Sequence, residues 1–136
     1  MSELHSKSIL TEARAPAIRV IMMPKDTNAL GTIFGGVILS YIDQAGAVEA
    51  HRTCPGRIVT VSMHEVVFHA PVFVGDLVSF YTRTVKIGNT SVTVDVEVEA
   101  ERGGLQEMGG PKVKVTEAEV VFVHVGPDGR PLPIAR

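Results

Sequence analysis

Residues 34–52 read FGGVILSYIDQAGAVEAHR, nineteen positions with no proline, closed by Pro55-Gly56 and long enough for five helical turns. Val37, Ile38, Leu39, Tyr41, Ile42, Ala45 and Val48 fall all round such a helix and leave no broad polar face, the pattern of a buried element. The exceptions, Gly36, Ser40, Asp43, Gln44 and Ala47, recur at three- and four-residue spacing and share one narrow stripe. That stripe is small and polar, and its expected surroundings are a crevice. With one long apolar helix in 136 residues, the rest of the chain must be built to wrap it.

The wrapping is sheet. Residues 57–70, 77–87, 90–100 and 113–125 are dense in β-branched side chains, and 17–23 (AIRVIMM) is a short strand candidate that Pro24 closes before the polar loop 25–28. Along 90–100, Val92, Val94, Val96 and Val98 alternate with Ser91, Thr93, Asp95, Glu97 and Glu99, so one face is buried and one is wet. In 57–70 apolar residues occupy both faces, as though a helix covered one side and a partner subunit the other. Short connections at 71–76 and 88–89 predict that the strands 57–70, 77–87 and 90–100 pair in sequence as antiparallel neighbours. One long helix followed by long antiparallel strands is an α+β arrangement in which the sheet wraps the helix, the hot-dog architecture, with a cystatin-like fold as its rival.

A tail over residues 1–16 and one domain over 17–134 account for the chain, interrupted only by a stretch at 102–111 rich in glycine. Thirteen Lys+Arg against 15 Asp+Glu, with no basic run, count against a nucleic-acid partner, which needs clustered cations to release phosphate counterions. The single Cys54 offers neither a disulfide nor a paired zinc spacing, which suits a reducing compartment. No basic start followed by an apolar core marks an export signal, and the longest charge-free apolar stretch, 29–42, falls short of the roughly 20 residues that cross a bilayer. The expectation is a soluble cytoplasmic protein with no membrane partner.

The common signatures of serine hydrolases, nucleotide-binding loops and zinc proteases are missing. His5, His51, His64, His69 and His124 have no ligand spacing and read as structural, and no metal is expected. Asp43 is different. It sits mid-helix among apolar residues, where an unpaired buried carboxylate costs several kcal/mol, so it either meets a neighbouring polar group or serves as a general base or nucleophile in a dry cleft. Gly35-Gly36 at the helix start is open to close approach by a ligand, and the N–H groups there, with the helix dipole, would stabilise an oxyanion; tight helix packing is the other reading. Gly36 and Asp43 share a face about 10 Å apart along the axis, long for one carbonyl, so a bound water or a second chain's Asp43 would have to close the gap.

The run from Met23 to Asp43, MPKDTNALGTIFGGVILSYID, resembles the acyl-CoA thioesterase branch of the hot-dog superfamily, the YciA-type and brain acyl-CoA hydrolase-type enzymes. The resemblance continues through GRIVTV at 56–61, PVFVGD at 71–76 and GNTSV at 88–92, and spans about residues 17–134, with no alignable motif at 102–111. It implies a thioester hydrolase that releases free acid and coenzyme A, needs no cofactor beyond the coenzyme A of its own substrate, and assembles as at least a dimer, in the family commonly a hexamer. It implies that Asp43 is the catalytic carboxylate, as base on water or as nucleophile, that Gly35 and Gly36 polarise the thioester carbonyl, and that Asn28 faces Asp43 of another copy. Coenzyme A is implied near Gly88, Thr90 and Ser91, with Arg57, Thr60, Arg83 and Lys86 as candidate contacts. Asp76, after Gly75, reads as a tight strand connection. Two alternatives remain, a non-catalytic acyl-CoA sensor and an enoyl-thioester hydratase, the latter wanting a histidine at the helix start that no position between His5 and His51 provides.

Overall fold

The computed structural model describes residues 14–103 and 110–135; residues 1–13 of the expected tail and 104–109 of the glycine-rich stretch lie outside the described residues. Five strands and one long helix follow in order: β1 (Ile18–Ile21), α1 (Gly35–Thr53), β2 (Ile58–His64), β3 (Leu77–Ile87), β4 (Ser91–Glu101) and β5 (Lys112–His124). The strands form one antiparallel sheet in the order β1-β3-β4-β5-β2. Its inner face carries Val78 and Phe80 of β3, the alternating valines of β4, and Val120 and Phe122 of β5, all buried. The helix lies across that face through Ile38, Ile42, Ala45, Gly46 and Ala50. Gly46 is needed there: a Cβ would come within 3.0 Å of the Phe122 ring. This is the expected hot-dog arrangement.

Two expectations need correction. The strand at 57–70 stops at His64, because Glu65 takes a left-handed φ of 57° that breaks the pleat. It also pairs with β5 rather than with β3, Ile58 opposite His124 and His64 opposite Glu119. Residues 65–76 form a crossover, still tied to β5 by the His69 N–H on the Val115 carbonyl and by the Thr116 hydroxyl on the Val67 carbonyl, before the chain reaches β3. Burial of the inner face, rather than loop length, decides this pairing. The second correction concerns the helix, which is buried on its sheet side only: Ser40, Gln44, Val48 and His51 are exposed. Likewise Val59 and Val61 of β2 stand 43% and 55% exposed, so covering of that strand's outer side rests on something beyond the single chain.

Asp76 is structural, as its position after Gly75 suggests. It is buried, accepts the Phe73 N–H, and pairs with Arg102, whose guanidinium also donates to the Pro71 carbonyl and stacks over the Phe73 ring. The base of the β4–β5 connection is thereby fastened to the crossover.

Candidate active site

The loop before the helix is folded on itself. Asn28 Oδ1 accepts the Leu30 N–H at 2.8 Å and the Thr32 N–H at 3.3 Å, while its Nδ2 donates to the Thr32 hydroxyl at 3.0 Å. An amide nitrogen carries two hydrogens, so one donor of Asn28 remains for a group outside this loop. Asp26 fixes the preceding turn by accepting the Met23 N–H, which together with Lys25 holds its carboxyl below the usual carboxylate range. The Asp26 carbonyl in turn receives the Phe34 N–H at 2.8 Å and sets the entry into α1.

No side chain caps the helix. The Val37 N–H turns back to the Phe34 carbonyl, but the N–H groups of Gly35 and Gly36 have no acceptor among the described residues. Two recesses flank them. One, of about 370 Å³, is lined by Phe34, Gly36, Val37, Ser40, Tyr41 and Gln44 and contains most of the small polar stripe expected from the sequence. The other, of about 340 Å³, lies between the helix start and the crossover, with Ile33, Gly35, Ile38 and residues 68–72 as its walls. It brings His69 to the helix start, a histidine delivered by the crossover that a search along the helix sequence misses.

Two turns along, Asp43 is half-buried, and its Oδ1 accepts the Thr60 hydroxyl at 2.6 Å. Thr60 pairs with Phe122, with which it shares the inner face, beside a bulge that leaves Val61 unpaired. Asp43 Oδ2 has no donor among the described residues. One oxygen is thus anchored in a short, charge-assisted bond while the other is free to take a proton or attack an electrophile. Thr60, expected at coenzyme A, touches the helix carboxylate instead.

The remaining candidates fall in two places. Arg57 and the turn Gly88–Ser91 flank the end of β5, the Arg57 carbonyl accepting from Val125 and the Thr90 carbonyl from His124, with the turn closed by the Gly88 N–H on the Ser91 carbonyl. Arg83 and Lys86 lie on the outer face of the sheet, away from the helix; Thr82 and Thr84 point inward, and Arg83 between them pairs with Asp95 at 3.5 Å. Within one chain the structure therefore joins Asp43 to Thr60, and Gly35 to Gly36. It leaves Asn28 bonded only within its own loop and Arg83 remote from all of them.

Sequence reasoning passed over Glu49, which reads as one more charge on a helix. Its two carboxylate oxygens accept the hydroxyls of Thr82 and Thr84, each at 2.9 Å, and Arg52 stands 3.9 Å away. A Thr-x-Thr pair on the inner face of a strand was the available signal.

Residues 30–107 match the model of the Thioesterase superfamily. The chain is 43% identical over 117 residues to the acyl-CoA thioester hydrolase YciA of Salmonella typhimurium, covering 86% of this chain and 87% of the relative. It is 42% identical to that of Escherichia coli over 84% of this chain and 86% of the other. Among solved structures, a hexameric hotdog fold thioesterase of Campylobacter jejuni superposes with a TM-score of 0.82 at 48% identity, covering 89% of this chain and 90% of that one. A hexameric broad specificity acyl-coenzyme A thioesterase, solved as an aspartate-to-alanine mutant, gives 0.83 at 38% identity, with coverage of 90% and 88%.

Proposed function

The chain belongs to the Thioesterase superfamily, and from that premise we propose that it hydrolyses acyl-CoA thioesters to free acid and coenzyme A, with Asp43 as the catalytic carboxylate. The observation that carries the reading is the pair of states on one carboxylate: among the described residues Oδ1 is held by Thr60 and Oδ2 has no donor, on the helix whose first two N–H groups find no acceptor there. In the general-base form, Oδ2 takes a proton from water and the new hydroxide attacks the thioester carbon. The Gly35 and Gly36 N–H groups receive the charge that builds on the carbonyl oxygen, and the thiolate of coenzyme A leaves and is protonated. In the nucleophilic form Oδ2 attacks directly and water then cleaves the acyl anhydride. The general-base role contributes on the order of 10²–10⁴ in rate.

A Gly36-to-Asp43 separation of about 10 Å along the helix is too long for one carbonyl. A second copy offers a remedy: the unused donor of Asn28 in one copy faces Asp43 of the other and holds water or thioester between them. The exposed edge of β2, with Val59 and Val61 uncovered, supports association of at least two copies, and the hexameric relatives support a trimer of dimers. Coenzyme A is proposed to lie near Arg57 and the turn Gly88–Ser91, with Lys86 at its edge. No metal or separate cofactor enters this chemistry. A cytoplasmic setting is part of the proposal; among the described residues no helix is long and apolar enough to cross a membrane.

The test is thiol release from acetyl-, butanoyl-, octanoyl-, dodecanoyl- and benzoyl-CoA by the wild type beside Asp43→Asn. Cys54 is 2% exposed and adds little background to a thiol reagent. Turnover that the variant loses while still binding coenzyme A is the expected result. An Asp43→Asn enzyme with undiminished turnover would overturn the mechanism, and a wild type that binds coenzyme A but cleaves nothing would identify a sensor.

A further inference from the structure

The two recesses beside the helix start differ in how deeply their walls are buried. The one at Gly36 is edged by Phe34, Val37, Ser40, Tyr41 and Gln44 and opens along the exposed side of the helix. The one at Gly35 is walled by Ile33, Ile38 and Val72, all buried, with Ala70, Pro71, Phe68 and the more exposed His69 completing it. Its rear wall is fixed, since the Ile33 N–H donates to the Val72 carbonyl at 2.8 Å and Arg102 holds the Pro71 carbonyl at 2.9 Å. Its front is the Phe68 ring, 44% exposed, which would lie 3.8 Å from a Cβ built on Gly35. A thioester whose carbonyl oxygen met the Gly35 and Gly36 N–H groups would have a slot backed by buried apolar side chains on one side and an open trough along the exposed helix on the other. An acyl chain suits the first, and the amide-bearing arm of coenzyme A suits the second.

We infer that the recess walled by Ile33, Ile38, Ala70 and Val72 takes the acyl chain of the substrate, and that Phe68 sets the chain length it admits. This rests on the acyl-CoA hydrolase reading. A volume of about 340 Å³ stands near the lower end of the roughly 300–1,000 Å³ of small-molecule sites, so the class it fits is a short- to medium-chain acyl group. Removing the ring opens the front of the slot. Adding bulk at Ala70, which also lines the slot, narrows it.

The experiment measures kcat/KM for butanoyl-, hexanoyl-, octanoyl- and dodecanoyl-CoA with wild type, Phe68→Ala and Ala70→Leu, and records the assembly size of each by light scattering. Each additional methylene that finds cover is worth about fourfold, so Phe68→Ala is expected to raise the dodecanoyl-to-butanoyl ratio at least tenfold. Ala70→Leu is expected to lower it, which keeps the inference testable should the phenylalanine variant fail to fold. Equal ratios in an active wild type and both variants would overturn the assignment. So would an unchanged ratio with an altered assembly size, which would make the recess a contact between copies. A wild type silent on all four substrates would remove the hydrolase reading, and this inference with it.

Discussion

Two carboxylates stand on the same helix six residues apart, and they are treated in opposite ways. Glu49 has each of its oxygens engaged by a hydroxyl, those of Thr82 and Thr84 on β3. Asp43 receives a single hydroxyl, from Thr60 on β2, and keeps its other oxygen open. The difference follows from where each half of the helix lies. Glu49 faces β3, inside the strand order, while Asp43 faces the edge strand β2 from the half of the helix that two recesses flank. A carboxylate held through both oxygens fastens helix to sheet. One held through a single oxygen keeps its orientation and leaves the other oxygen open.

Substitution separates the two roles. Asp43→Asn should cost 10²–10⁴ in kcat, the range for loss of a general base, with the thermal midpoint nearly unmoved, because Asn Oδ1 can still accept from Thr60. A large fall in the midpoint instead would make Asp43 a second fastener. Glu49→Ala should do the reverse. Two strand hydroxyls lose a charged partner, and about 2–3 kcal/mol of stability should disappear in urea titrations at fixed protein concentration, while kcat on the best acyl-CoA stays within a factor of two. The smallest effect belongs to Thr60→Val, an isosteric change that frees both oxygens of Asp43. It should lower kcat by about tenfold with little change in KM, as expected if a net hydrogen bond of about 1.4 kcal/mol holds the carboxylate in its reactive pose. Rescue by Thr60→Ser, which restores the hydroxyl without the methyl, distinguishes positioning from packing.

What made Asp43 legible in the sequence was contradiction, a charge placed among residues that avoid it. The helix limits, the span of β3 and the valine alternation of β4 were readable for the matching reason, that local pattern and final burial agree there. Glu49 was not legible because nothing near it in sequence is anomalous; its partners lie over thirty positions away on β3. Thr60 was named through the resemblance as a coenzyme A contact, but not as the partner of Asp43, since that contact depends on β2 crossing to the far edge of the sheet. The crossing itself escaped a reading based on connection length, because the pairing is decided by which strand must cover the helix. The arrangement of Arg83 shows the converse: a basic side chain in a suitable stretch of sequence is turned to the outer face by the simple parity of the pleat.

The position of β2 also orders events in time. β3, β4 and β5 are consecutive and pair as a meander, whereas β2 waits for residues 55 to 66 positions further on, His64 meeting Glu119 and Ile58 meeting His124. Such long-range closure is slow relative to hairpin formation. During synthesis the helix is made before β3 and β4, the strands it chiefly packs on, and Thr60 well before the β5 strand that seats β2, so the contact between Asp43 and Thr60 is among the last to be fixed. Until then the apolar side of α1 is surface that a chaperone can cover.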